Sequence, residues 1–172
     1  MAIIKTVKPE DAEGKVKEIY SMFNEKMGMV PEPMQLYGVC PEILELLAGS
    51  IQFGMGYTKF SPNLKAFIRM LVSVIQKCSF CIDMNAGMLM QAGISKEAID
   101  AAKSDPNKVP LDEREKAILL FILKSVKEPL SIDKTDINKL HSLGWEDKDI
   151  FVAAYLGASS FASDTILNTF KV

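Results

Sequence analysis

The sequence predicts an all-α fold in a single domain, and three observations carry that prediction. Apolar residues recur at three- and four-residue spacing along most of the chain. No convincing stretch alternates with the period of two that a half-buried strand needs. Pro, Gly, Ser and Asp interrupt the pattern at helix-length intervals, in the positions that start and stop helices. The 172 residues are 48% hydrophobic and 24% charged, enough to bury a core without disulfide or metal staples.

Composition also excludes several classes. With 20 basic residues against 22 acidic ones, a net charge of −2 and no basic stretch, the chain lacks the electrostatic footprint of a nucleic-acid binder. Its apolar content argues against disorder, and three cysteines are too few for a disulfide framework. The opening MAIIKTVKPEDAEG meets charge too soon for a signal-peptide apolar core. The apolar stretch Met70 to Gln76 is far short of the roughly 20 residues of a membrane span. The expectation is one soluble, cytoplasmic domain over residues 1–172, with neither nucleic acid nor membrane as partner. Ten Met residues against four Tyr and one Trp make the apolar part soft. They read as filler between helices, or as a surface that packs against copies of the chain.

Seven or eight helices are expected. Pro9-Glu10-Asp11 starts the first, which runs through Val16, Ile19, Tyr20, Phe23 and Met27. Gly28 and Pro31-Glu32-Pro33 end it in a turn-rich connector. Pro41 opens a second, through Ile43, Leu44, Leu47 and Ile51. Ser61-Pro62 supplies a cap and a first-turn Pro for a third, with Leu64, Phe67, Ile68, Leu71, Val72 and Ile75 on a broad face. Cys78 to Ala92 makes a fourth, closed by Gly93. Ser95 caps a short fifth, with Ile94 and Ile99 spaced as a hydrophobic staple. Asp112 and Glu115 form a capping-box-like start to a sixth, which passes Ile118, Leu119 and Ile122 and stops at Pro129. Ser131 begins a seventh that ends at Gly144, and the last runs from about Asp147 towards Phe170.

A faint repeat recurs at an offset of 51 residues. Ser61 aligns with Asp112, Lys65-Ala66 with Lys116-Ala117, Leu89 with Leu140, Gly93 with Gly144 and Ile99 with Ile150. A duplicated three-helix unit would explain it. Cys78 and Cys81 then align with Pro129 and Ile132, so the cysteine pair belongs to one copy only.

That pair, in Cys78-Ser79-Phe80-Cys81, is the chemical candidate. Two intervening residues let the sulfurs cycle between dithiol and disulfide. At a helix start, with Ser79 as cap, the positive end of the dipole favours the thiolate of Cys81. The same pattern also fits half of a zinc site, or two buried structural cysteines. Zinc lacks a second pair, since Cys40 and His141 stand at no ligand-like spacing.

The segment CSFCIDMNAGMLMQAGISKEAIDAA resembles the alkylhydroperoxidase AhpD-like, peroxidase-related branch of the carboxymuconolactone decarboxylase family. That family's motif is Cys-x-x-Cys-x-x-x-His, followed by a helix, a Gly and a short capped helix. The stretches from Pro9 to Gly49 and from Gly144 to Phe170 are similar to its N-terminal part and closing helix, and residues 61–102 hold the core motif. The resemblance implies an all-helical fold, usually homo-oligomeric, and a thiol-disulfide oxidoreductase or thiol peroxidase of the antioxidant type. In that scheme Cys81 attacks the peroxide and Cys78 resolves the sulfenic acid as a disulfide. A dithiol such as dihydrolipoamide, or a thiol carrier protein, returns the electrons, and no metal or other cofactor is needed.

Two positions depart from the motif. The relay histidine, four residues after Cys81, is Asn85, and the glutamate twelve residues before Cys78 is Ala66. Asn cannot act as a base near neutral pH, and Ala can neither donate nor accept. The alternative function is a non-catalytic oligomeric binding or scaffold protein that has lost the relay. The decarboxylase chemistry of the family's name is a third reading, weakened by the thiol-branch cysteines. Asp83, two residues past Cys81, lies on a different helical face, where an anion would raise the thiol pKa, and Glu97 and His141 would reach the pair only through tertiary packing. Cys40, beside Pro41, reads as a small buried hydrophobe.

Overall fold

The computed structural model describes residues 2–172, and its regular structure is entirely helical. Among the described residues there are nine α-helices, three short 3-10 turns and no strand. The helix beyond the expected seven or eight lies in the Pro-rich connector after Gly28. Proline is tolerated in a first helical turn, where its missing N–H has no partner to lose. The chain forms two compact units, one running up to Tyr57 with Ile166–Val172 added, the other Thr58–Thr165.

The first unit holds α1 (Gly14–Met27), α2 (Glu32–Tyr37) and α3 (Pro41–Gly56). Pro9–Asp11 is a separate 3-10 turn rather than the start of α1, because Ala12 and Glu13 are extended. The Tyr20 hydroxyl lies 3.1 Å from the Val7 carbonyl and 3.0 Å from that of Met34, tying the N-terminal segment and α2 to α1. Gly38 passes so close to this hydroxyl that any side chain there would collide with it.

The second unit comprises α4 (Pro62–Gln76), α5 (Ser79–Gln91), α6 (Lys96–Ser104), α7 (Glu113–Lys127), α8 (Lys134–Ser142) and most of α9 (Asp147–Phe170). α4 is central: Leu64, Phe67, Ile68, Met70, Leu71 and Val72 are all buried. It packs chiefly on α5 and α7. Trp145 is buried against Phe60, donates to the Arg114 carbonyl at 3.0 Å and has the Arg114 guanidinium 3.6 Å from its ring centre. Gly157 gives α9 a close approach to Ile122 and Val126 of α7, where a Cβ would meet their side chains.

Capping follows the sequence with two revisions. Ser61, Ser95 and Asp112 each accept from the backbone N–H three residues on. The Glu115 carboxylate does not close a box on Asp112. It reaches Ser61 instead, accepting from its N–H at 3.0 Å and its hydroxyl at 2.9 Å, and so links the starts of α7 and α4. The seventh expected helix starts at Lys134 and not Ser131, since Pro129–Ser131 is a 3-10 turn and Asp133 with Asp136 forms the full capping box.

The repeat survives in the element boundaries. α4 and α7 begin and end 51 residues apart, α5 and α8 end 51 apart, and α6 and α9 begin 51 apart. Gly93 and Gly144 both take left-handed backbone. The copies diverge after the first helix: Cys78 and Cys81 enter α5 at once, whereas Pro129 and Ile132 lie in and beside a 3-10 turn.

α9 revises the expectation of no membrane-length segment. It is the one helix among the described residues long and apolar enough to cross a bilayer by length and composition, with a mean hydropathy of 1.4 over its best window. Core helices meet the same criterion. A stripe of α9 through Ala153, Gly157, Asp164 and Leu167 is buried within the protein.

Candidate active site

The turn between α4 and α5 shapes the site. Lys77 takes a left-handed conformation (φ 58°), and the Cys78 N–H donates to the Ser73 carbonyl at 3.0 Å, closing α4 in Schellman fashion. The chain then reverses directly into α5. Cys78, with extended backbone, is the N-cap residue, and its carbonyl accepts from Ile82 N–H at 3.0 Å. Ser79, expected as the cap, is instead the first helical residue and is exposed. Cys81 still falls in the first turn. All three cysteines are free thiols, with Cys78 wholly buried and Cys81 half-buried.

A residue that sequence reasoning did not single out completes the pair. Asp164, on α9, is 1% exposed, and its carboxylate and the two sulfurs all lie within 4.8 Å of one another. Cys78, Cys81 and Ser73 face this carboxylate, yet its Oδ2 accepts from no group. The single Ser73 hydroxyl proton is donated to the Arg69 carbonyl at 2.8 Å, so it does not serve the carboxylate at the same time. The available signal was an acid on the apolar stripe of α9, in line with Ala153, Gly157 and Leu167.

The two relay positions hold no titratable base. Ala66 is buried on α4, one turn before Arg69. Asn85 is buried and used at both ends: Oδ1 accepts from Arg69 Nε at 2.7 Å and Nδ2 donates to the Cys81 carbonyl at 2.7 Å. Asn85 thereby holds the half-buried Arg69 guanidinium beside α5, where its charge couples to Cys81. Arg69 is thus a second residue that the sequence pattern did not mark.

The electrostatics correct the expectation of a thiolate favoured by the helix dipole. Burial pushes the Cys81 thiol well above its ordinary value, and the Asp164 carboxylate and Cys78 push it further. Cys78 is also raised by burial, an effect that the neighbouring Cys81 backbone and thiol partly offset and the Asp164 carboxylate adds to. Access and ionisation therefore point in different directions, since Cys81 is the more accessible sulfur and Cys78 the one whose thiolate is favoured by its neighbour in the pair. Asp164 is itself raised by burial, partly offset by Ser73, Cys81 and Cys78.

The remaining sequence candidates lie elsewhere. His141 Nε2 is 2.8 Å from Asp147 Oδ1 in an exposed pair. Asp83 and Glu97 are exposed. Cys40 belongs to the first unit, where its thiol donates to Glu42 at 3.3 Å. The spacing of Cys78, Cys81 and Asp164 would also suit three metal donors, a charge that the Arg69 cation beside Cys81 opposes. The arrangement suits the holding and moving of protons between two sulfurs and a carboxylate.

The helices take the AhpD-like fold, with the cysteine pair at the α4–α5 turn. No protein-family model matches the sequence, and no curated protein matches it. Solved structures do. A peroxidase-related protein from Silicibacter sp. TM1040 is 22% identical, with a TM-score of 0.84 over 98% of this chain and 91% of that one. A second peroxidase-related protein, an alkylhydroperoxidase AhpD core from Ralstonia eutropha JMP134, is 18% identical, with a TM-score of 0.85 over 99% and 92%. A complex of the debrominase Bmp8, in a cysteine-to-alanine form, with 2,3,4-tribromopyrrole is 17% identical, with a TM-score of 0.72 over 99% and 88%. At these identities the likeness establishes the fold.

Proposed function

We propose that the protein is a thiol-dependent oxidoreductase of the AhpD-like, peroxidase-related kind, with Cys81 and Cys78 as its redox pair. The observation that carries this reading is the approach of two free thiols within 4.8 Å, one of them accessible, beside a fixed guanidinium. In the peroxidase cycle the Cys81 sulfur attacks the terminal peroxide oxygen and the O–O bond breaks. Cys81 becomes a sulfenic acid and the alkoxide leaves as alcohol after taking one proton. Cys78 then attacks the Cys81 sulfur, expelling water and forming the disulfide. An external dithiol such as dihydrolipoamide, or a thiol carrier protein, reduces that disulfide through a mixed disulfide. The pair needs no metal, flavin or haem for this cycle and fits a reducing compartment such as the cytoplasm. Self-association belongs to the same reading and is supported by the exposed Phe151 and Tyr155 on α9.

Burial of Cys78 and the raised thiols favour a second reading, a helical scaffold whose cysteines only fill space. One comparison separates the two. Under the redox reading, Cys81→Ser abolishes dithiol-driven reduction of hydrogen peroxide or of a small disulfide, while Cys40→Ser keeps the parent rate. Equal turnover in Cys81→Ser and the parent would sink the redox reading.

A further inference from the structure

We propose that Asp164 is the proton carrier of the cysteine pair, taking the proton of Cys81 as its sulfur attacks and then serving Cys78 in the same way. This rests on the thiol reading above. The geometry singles out Asp164 because its carboxylate lies against both sulfurs at once. It comes from α9, far in sequence from the α4 and α5 positions where the motif would supply a glutamate and a histidine. Those positions hold Ala66 and an Asn85 already committed at both ends.

Three features of the site support the assignment. First, Asp164 Oδ2 is a buried carboxylate oxygen that accepts no hydrogen bond, a costly state that taking up a proton relieves. Second, the Cys81 thiol is hard to ionise in place, so its attack needs a base that removes the proton as the S–O bond forms. Third, burial raises the proton affinity of Asp164 and makes it a better base than an exposed carboxylate. The polar groups facing it are Ser73 from α4 and Cys78 and Cys81 from α5, with the Arg69 guanidinium beside Cys81.

The proton balance closes on this one group. As the Cys81 sulfur bonds to the terminal peroxide oxygen, its proton passes to Asp164 and the O–O bond breaks. Asp164 returns the proton to the departing alkoxide, giving alcohol. When Cys78 attacks the sulfenic acid, its proton goes to Asp164 and on to the departing hydroxide, giving water. The carboxylate ends each step as it began, and the two electrons come from the sulfurs.

The test uses the reduced full-length protein and its Asp164→Asn variant, which keeps the side-chain size and removes the base. Two quantities are read together. One is the pH midpoint of Cys81 alkylation by iodoacetamide, and the other is the single-turnover rate of oxidation by hydrogen peroxide. Removing the anion beside Cys81 should lower the alkylation midpoint, while removing the base should slow peroxide oxidation by ~10²- to 10⁴-fold. The two readouts move in opposite senses, which no purely structural role predicts. Asp164→Glu retains a carboxylate and should recover part of the lost rate, and it guards against a variant that simply packs badly. The parent's rate should fall on its acid side as Asp164 becomes protonated, and Asp164→Asn should lose that limb.

Alkylation and oxidation that quicken together would overturn the proposal, because Asp164 would then only suppress the thiolate. So would an unmoved alkylation midpoint, or a stoichiometric divalent metal in the purified parent that Asp164→Asn no longer holds. If the parent's cysteines resist both hydrogen peroxide and a disulfide reagent, the oxidoreductase reading itself falls and takes the carrier role with it. The alkylation shift would then still report the contact between Asp164 and Cys81.

Discussion

At the residue scale, the motif position of Asn85 has changed its task. A base there would move protons, whereas Asn85 bridges the Arg69 guanidinium to the Cys81 carbonyl with two 2.7 Å hydrogen bonds. Asn85→Ala should strand the half-buried Arg69 Nε–H and lower the unfolding free energy by about 1.5–3 kcal/mol, the range for a hydrogen bond to a charged group. Urea unfolding would measure the loss, and an unchanged midpoint with unchanged slope would argue against the bridge. The cysteines were legible because two such residues in a four-residue motif need no fold to be noticed. Their ionisation was not, because it depends on burial and on an acid more than eighty residues away in the chain.

At the element scale, helix starts were the most legible feature. Ser61, Ser95 and Asp112 satisfy backbone N–H groups that every helix leaves open, a demand local enough to show in four or five residues. The partner of Glu115 was not local. Its carboxylate joins the starts of α7 and α4 through Ser61, 54 residues away, and favours the positive ends of both helix dipoles. Glu115→Ala should cost about 1.5–3 kcal/mol, more than a surface cap, because two hydrogen bonds to a charged acceptor are lost. Ser61→Ala removes one of the same bonds along with the cap. The two changes should therefore combine to less than their sum in a double-mutant cycle read by urea unfolding. Additive losses would mean that the link contributes little.

At the scale of the whole molecule, pH reports how much titratable material is buried. The folded-state values of Cys78 and Cys81 are raised from the ordinary thiol value of 9.0, and burial pushes Tyr20 from 10.0 up to about 12. For each group the unfolded chain loses its proton first as pH rises. The stabilisation is therefore complete below the unfolded value and declines through the folded one. Stability should fall as pH climbs above 9, with a further contribution from Tyr20 between 10 and about 12. Urea midpoints measured across that range in the presence of reductant should show this decline, and Cys81→Ser should flatten its thiol part. An alkaline profile identical in Cys81→Ser would mean that the thiol is less buried than its surroundings indicate.

The sequence by itself determined the all-α class, most helix boundaries, the 51-residue repeat and the cysteine pair that breaks it. Each of these rests on periodicity, capping or spacing within one or two turns of helix, where the physical cause and the letters lie close together. The tertiary structure alone decided what surrounds the sulfurs. Arg69 comes from α4, Asn85 from α5 and Asp164 from the buried stripe of α9. Asn85 stands one helical turn beyond Cys81, but no short-range rule brings Arg69 or Asp164 to the pair. They meet because α4 packs on α5 and α9 buries an acid against that turn, and electrostatics in a buried site depends on distance in space rather than in sequence.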